Sequence, residues 1–129
     1  MRLPPYAALL GAELERADDG SPVMVMPFAE AVVGRPGFLQ GGAISGLLEV
    51  AAIAALRHAL EGEGQGDSRI KPINVTVDFM RGGRDRLTRA SGSITRLGTR
   101  VANVEAFAWQ DDRARPIAAA RMNYLIERE

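Results

Sequence analysis

Two adjacent glycines, followed eight residues later by a lone carboxylate, form the part of this sequence best equipped for chemistry. The segment is GRPGFLQGGAISGLLEVAAIAAL, Gly34 to Leu56, with the pair at Gly41 and Gly42 and the acid at Glu49. Glycines at the start of a helix let a ligand or another backbone approach the unpaired N–H groups of the first turn. Those donors and the helix dipole favour an oxyanion. A tight turn with close packing and no ligand is the other reading of the pair. Glu49 is the only charged residue between Ala43 and Leu56. Helical spacing puts it on one face with Gly42, Ser45, Gly46, Ala52 and Ile53. A carboxylate among small apolar residues is costly unless it is paired or protonated. That makes Glu49 either a functional group or a helix-edge acid paired to an arginine.

Distance constrains how the two features cooperate. Eight helical residues separate Gly41 and Glu49 by about 12 Å along the axis, and a glutamate side chain leaning back recovers only part of that. One helix cannot easily bring both groups to one carbonyl. Two antiparallel helices from two copies can, and the small residues would let them come close. The spacing therefore predicts a site shared across a two-fold interface.

Other chemistries find little support. There is no cysteine, so disulfides, thiol nucleophiles and thiolate metal sites are excluded. His58 is the only histidine, so a metal centre lacks ligands. A Ser-His-Asp triad would have to use His58, and no nucleophile elbow precedes a helix. It reads as structural, near the end of a helix where an imidazolium suits the dipole. Sixteen basic and sixteen acidic residues cancel, so a global field for nucleic acid is missing. Arg81, Arg84, Arg86, Arg89, Arg96 and Arg100 form a basic run offset only by Asp85. Near strand ends they could hold phosphates, or they are the solvated face of a sheet. Arg81, Arg96 and Arg100 flank the Gly turns and are the binding candidates. The longest apolar run, Ala43 to Leu56, has fourteen residues and includes Glu49, too short for a membrane span. A soluble, cytoplasmic protein is expected.

The elements that must position these residues follow from periodicity. The chain is expected to be one domain, residues 1–129. Pro4 and Pro5 precede a short helix that ends at Gly11. GAELERADDGSPVMVMPF reads as a hairpin with its turn at DDGS. Residues 29–39, with Gly34, Pro36 and Gly37, read as a loop. A helix apolar almost all round should run from about Gly42 to Leu60 and be wrapped by other structure. INVTVDFM, RLTRASGSITRL, RVANVEAFAWQ and PIAAARMNYLI then alternate as four strands. Trp109, Phe107 and Tyr124 are placed in the core or a subunit interface. The fold class is α+β, a central helix in a curved antiparallel sheet of about six strands.

This order of elements, and above all G-x-L-Q-G-G-A-I-S-x-L-x-E over Gly37–Glu49, resembles the hotdog-fold thioesterases of the phenylacetate-degradation (PaaI-like) type. The resemblance covers nearly the whole chain. It implies that the Gly41 N–H polarises a thioester carbonyl and that Glu49 is the nucleophile or general base, supplied by the opposite subunit. It implies acyl-CoA or aryl-CoA substrates, with Gln40 beside the carbonyl, Gly42, Ser45 and Ile53 against the substrate, and Arg81, Arg96 and Arg100 on coenzyme A. Leu47, Ile53 and the Met-rich strand would line an acyl pocket. No cofactor is implied beyond coenzyme A as part of the substrate. A homodimer assembling to a tetramer is implied, with no nucleic-acid or membrane partner. Three positions depart from the family pattern: Gln40 replaces a histidine, Gly34 an asparagine, and Pro72 a Ser or Thr. Gln40 can donate a hydrogen bond but cannot carry a proton. Those departures support an alternative, a non-catalytic acyl-CoA or acyl-group binding protein. A hydratase on the same fold ranks last, because it would need a better placed histidine.

Overall fold

Pro5 precedes the first helix, α1 (Tyr6–Leu9), and Gly11 closes it in the left-handed region at φ 67°. The computed structural model describes residues 1–129. Strands β1 (Glu13–Arg16) and β2 (Pro22–Met26) form the expected hairpin. Its turn is locked by Asp19, whose Oδ1 accepts from the Ser21 N–H at 2.9 Å and the Ser21 hydroxyl at 2.6 Å, the Asx-turn geometry that short acids favour. Met24 and Met26 are fully buried. The segment expected as a plain loop has more order: a 3-10 turn at Glu30–Val32 and a bridge between Val33 and Leu39.

The central helix α2 runs Gly41–Gly62. It is followed by β3 (Arg69–Phe79), β4 (Thr88–Leu97), β5 (Val101–Trp109) and β6 (Ala118–Glu127). All pairings are antiparallel, in the order β1-β2-β4-β5-β6-β3. This is the hotdog arrangement that the family resemblance implied, with α2 lying across β2, β4, β5 and β6. Leu47, Leu48, Leu56 and Leu60 are wholly buried, each contributing about 1.5–3 kcal/mol relative to exposure. The helix has 22 residues, longer than its uninterrupted apolar run, and 72% of its most apolar stretch is buried inside the fold. Its hydropathy is spent on the core. Trp109 and Tyr124 are buried as expected, whereas Phe107 is 39% exposed.

Wrapping of α2 is incomplete. Strand β3 is an edge strand paired only to β6. Its Ile70, Pro72, Val75, Val77 and Phe79 sit opposite the inward-facing Ile126, Tyr124, Met122, Ala120 and Ala118, so they share the sheet's apolar face. Yet Val75 is 54% and Phe79 55% exposed, and the bulge residue Ile73 55%. A stripe of α2 at Gly42, Ser45, Glu49 and Ile53 is likewise left partly or fully exposed. The expected helix, apolar all round, thus has one uncovered face.

Candidate active site

The first turn of α2 is organised by Gln40. Its backbone sits at φ −72°, ψ 136°, and its side-chain Oε1 accepts from the Gly42 N–H and, at 3.2 Å, from the Ala43 N–H. Its backbone carbonyl accepts from Ala43 and Ile44. Glycine at 42 leaves room for this cap: a Cβ there would fall 2.6 Å from Oε1 and displace it. Gln40 is therefore a helix cap, a role that its sequence position did not reveal because glutamine is not a common capping residue. With Oε1 committed to the helix, the Nε2 amino group is left without a protein partner.

The remaining first-turn donor is the Gly41 N–H. It has no intrahelical acceptor, as helix geometry dictates, and no loop carbonyl or side chain accepts from it. A Cβ at Gly41 would meet only the Phe79 ring, at 3.5 Å, so packing within the protomer does not demand glycine. The donor is unpaired within the protomer, and Gly41 itself is partly exposed. Gly34 has a steric reason instead: a Cβ there would lie 3.0 Å from the Gln40 Cα, where the 33–39 loop folds back on the cap.

Glu49 lies two turns further along the same helix, partly buried. It makes no hydrogen bond within the protomer, and none of the five ion pairs includes it. The alternative of an arginine-paired helix-edge acid is thus not what the fold builds. Its neighbour inside the core is Tyr124: burial, and secondarily the Glu49 charge, push the Tyr124 hydroxyl well above the usual phenol range. The sequence did not connect these two residues, since one is on α2 and the other on β6. Ser45 and Ile53 share the open stripe with Glu49, and Leu47 is buried in the core.

The arginines separate. Arg81 follows β3 at the end of the sheet where α2 begins, donating to the Pro116 carbonyl at 2.5 Å. Arg84 and Arg35 both lie over the ring of the loop residue Phe38, at 4.3 and 4.0 Å from its centroid. Arg96 and Arg100 sit at the β4–β5 hairpin. Arg100 adjoins Ile126, whereas Arg81 is beyond Ala118 on the same β6 ladder. Eight strand residues put these positions about 26 Å apart. One protomer therefore does not gather Arg81, Arg96 and Arg100 around one phosphate. Arg86 and Arg89 are held by Asp111 and Glu15. His58 is exposed, its Nδ1 3.4 Å from Arg16, away from the open stripe. Pro72 pairs with Tyr124 across β3 and β6.

Known proteins share this architecture. The thioesterase superfamily profile matches residues 36–117. The medium/long-chain acyl-CoA thioesterase YigI of Salmonella typhimurium is 31% identical over 95% of this chain and 85% of its own. A Bacillus halodurans protein crystallised with CoA superposes with a TM-score of 0.81 at 18% identity, over 98% of this chain and 80% of that one. A phenylacetic acid degradation-related protein of Ralstonia eutropha gives 0.77 at 21% identity, over 97% and 92%.

Proposed function

The chain belongs to the thioesterase superfamily, and from that premise we propose that it hydrolyses acyl-CoA thioesters at a site shared by two copies. The unpaired Gly41 N–H carries the proposal: a first-turn donor without an acceptor in the protomer while its neighbours are capped by Gln40. A thioester carbonyl takes that N–H, with the Gln40 Nε2 as a second donor. Both meet the oxygen as it gains charge, where preorganised donors are worth most. Glu49 of the other copy either attacks the carbonyl carbon to give an anhydride that water then cleaves, or takes the proton from the attacking water. In both routes the thiolate of coenzyme A leaves and is protonated.

Two copies are invoked on physical grounds. Gly41 and Glu49 lie about 12 Å apart on one helix, beyond the reach of one carbonyl. The long β3 edge carries exposed Ile73, Val75 and Phe79. An uncovered apolar edge invites pairing, and a second copy laid antiparallel on β3 covers the open stripe of α2 as well. That copy also completes the burial of Glu49 and shields the site from bulk solvent while leaving room for the attacking water. Arg81, at the Gly41 end, is the arginine placed to meet the phosphates of a bound coenzyme A. Arg96 and Arg100 lie on the far end and reach a CoA only if another copy presents them. No cofactor takes part in these steps.

Glu49→Gln is the test. It keeps the shape and removes the nucleophile and base. Thiol release from acyl-CoA should fall by at least a hundredfold while oligomeric state and melting temperature hold. Calorimetry with a non-hydrolysable CoA analogue should give unchanged affinity. Wild-type protein that binds the analogue tightly but releases no thiol from short, medium, long or aryl thioesters is a binding protein, and this reading is wrong.

A further inference from the structure

Two arginines, neither of them in an ion pair, line one apolar groove beside the Glu49 stripe. The groove lies between the N-terminal segment and α2 and encloses about 250 Å³. Leu3, Pro4, Pro5, Ile53 and Ile70 line it, and Arg2 and Arg57 are its only polar lining. The segment is seated firmly. Tyr6, next in sequence, rests on Gly46, where a Cβ would lie 2.6 Å from its ring and hydroxyl.

Arg57 is only 8% exposed. Its Nη1 donates to the carbonyls of Ser68 and, at 3.2 Å, Gly66, while its Nε has no partner. No carboxylate forms an ion pair with Arg57 or Arg2. Burial, and then the adjacent Arg2 charge, pull the Arg57 guanidinium below its ordinary range; Asp67 and Glu61 offset this only in part. Arg2 is exposed, whereas Arg57 is buried; a buried charge is normally paired, and two like charges lining one groove have an anion as their natural complement.

Arg57 follows Glu49 by eight residues, about 12 Å along the axis. An extended chain advances roughly 1.2 Å per bond, so about ten bonds cover that span. Resting on the thioesterase reading, we propose that this groove receives the far part of the acyl group and that Arg2 and Arg57 bind a carboxylate at its end. The favoured substrate class is then the CoA thioester of a medium-length dicarboxylic acid. The walls decide for the acyl arm over the arm of coenzyme A. Methylenes suit Leu3, Pro4, Ile53 and Ile70, whereas the two amides of pantetheine would be left without partners there.

Two measurements test this. Calorimetry compares suberate and sebacate with octanoate and decanoate, needing no turnover. Kinetics compare octanoyl-CoA with its ω-carboxylated counterpart, in wild type and Arg2→Gln. Arg2→Gln carries the test because Arg57 also ties down the 66–68 segment, and Arg57→Lys gives a second, milder variant. The diacids should bind about tenfold tighter than the monoacids, one charge-assisted contact. Arg2→Gln should erase that difference and lower kcat/KM about tenfold for the ω-carboxylated thioester alone. Equal binding of mono- and diacids, or an equal loss on both thioesters, overturns the proposal. So does a discrimination that vanishes with acyl-pantetheine thioesters, since the anion would then be a CoA phosphate. Diacid binding with no hydrolysis of any thioester would sink the proposed function yet leave this anion site standing.

Discussion

Replacing Gly41 by proline removes the proposed oxyanion donor and little else. Gly41 is the first residue of α2, the position where proline is best tolerated because its missing N–H has no intrahelical partner. Gln40 already has the extended backbone, φ −72° and ψ 136°, that a residue before proline requires. A Cβ at Gly41 makes an ordinary contact with Phe79 at 3.5 Å. Exchanging glycine for proline at a compatible site stabilises by about 0.4–1 kcal/mol through the unfolded chain. In a domain of this size that raises the melting temperature by roughly 2–4 °C. Loss of one oxyanion donor lowers kcat about 10²–10³-fold, or roughly 2.7–4 kcal/mol. Gly41→Ala is the control, since it keeps the N–H and should stay near wild type. Thiol release from an acyl-CoA, with thermal melting of the same samples, reads both quantities. A Gly41→Pro protein that melts normally and retains more than half of wild-type turnover would refute the assigned donor. Mixing it with Glu49→Ala extends the test to the interface. Random exchange makes half the dimers hybrid, each with one intact site of two, so about a quarter of wild-type activity should return. No recovery on proven subunit exchange would place the site within one protomer.

Gln40→Glu keeps the acceptor for Gly42 and Ala43 and suits the helix dipole by about 0.3–1 kcal/mol, but removes the Nε2 donor and puts a negative charge beside the oxyanion. Melting temperature should hold or rise while kcat falls at least tenfold; parallel decline of both would show that the side chain serves the fold alone. Val75→Lys charges the uncovered face of β3, where Val75 is 54% exposed in the protomer. It should give a folded monomer by light scattering, with activity lost in step, and an active monomer would contradict the shared site. Ser21→Ala addresses acid stability. The Ser21 hydroxyl and then its backbone N–H hold the Asp19 carboxyl below the ordinary aspartate range. The stability this supplies is present above about pH 4 and lost as pH falls through the lowered value. The variant should therefore melt lower than wild type at pH 6 and alike below about pH 3; an equal gap at both would deny the linkage.

The sequence by itself determined the architecture and the spacing of Gly41 and Glu49 along one helix. Period-two alternation after one long apolar helix leaves few alternatives to a helix lying on an antiparallel sheet, because each pattern has one face to bury. Gly41 and Glu49 were legible for a local reason, since helix geometry fixes what eight residues mean. Non-local proximity was not legible. That Tyr124 lies near Glu49, that Tyr6 rests on Gly46 and that Arg2 lies near Arg57 depend on how β6 and the N-terminal segment lie against α2. The same blindness grouped Arg81 with Arg96 and Arg100, neighbours in the chain that strands of about 3.3 Å per residue carry to opposite ends of the sheet. Gln40 shows the finer limit. Its identity was read as a substrate-facing donor, but only the fold, by turning Oε1 onto the first-turn N–H groups, decided that it caps the helix and leaves Gly41 free.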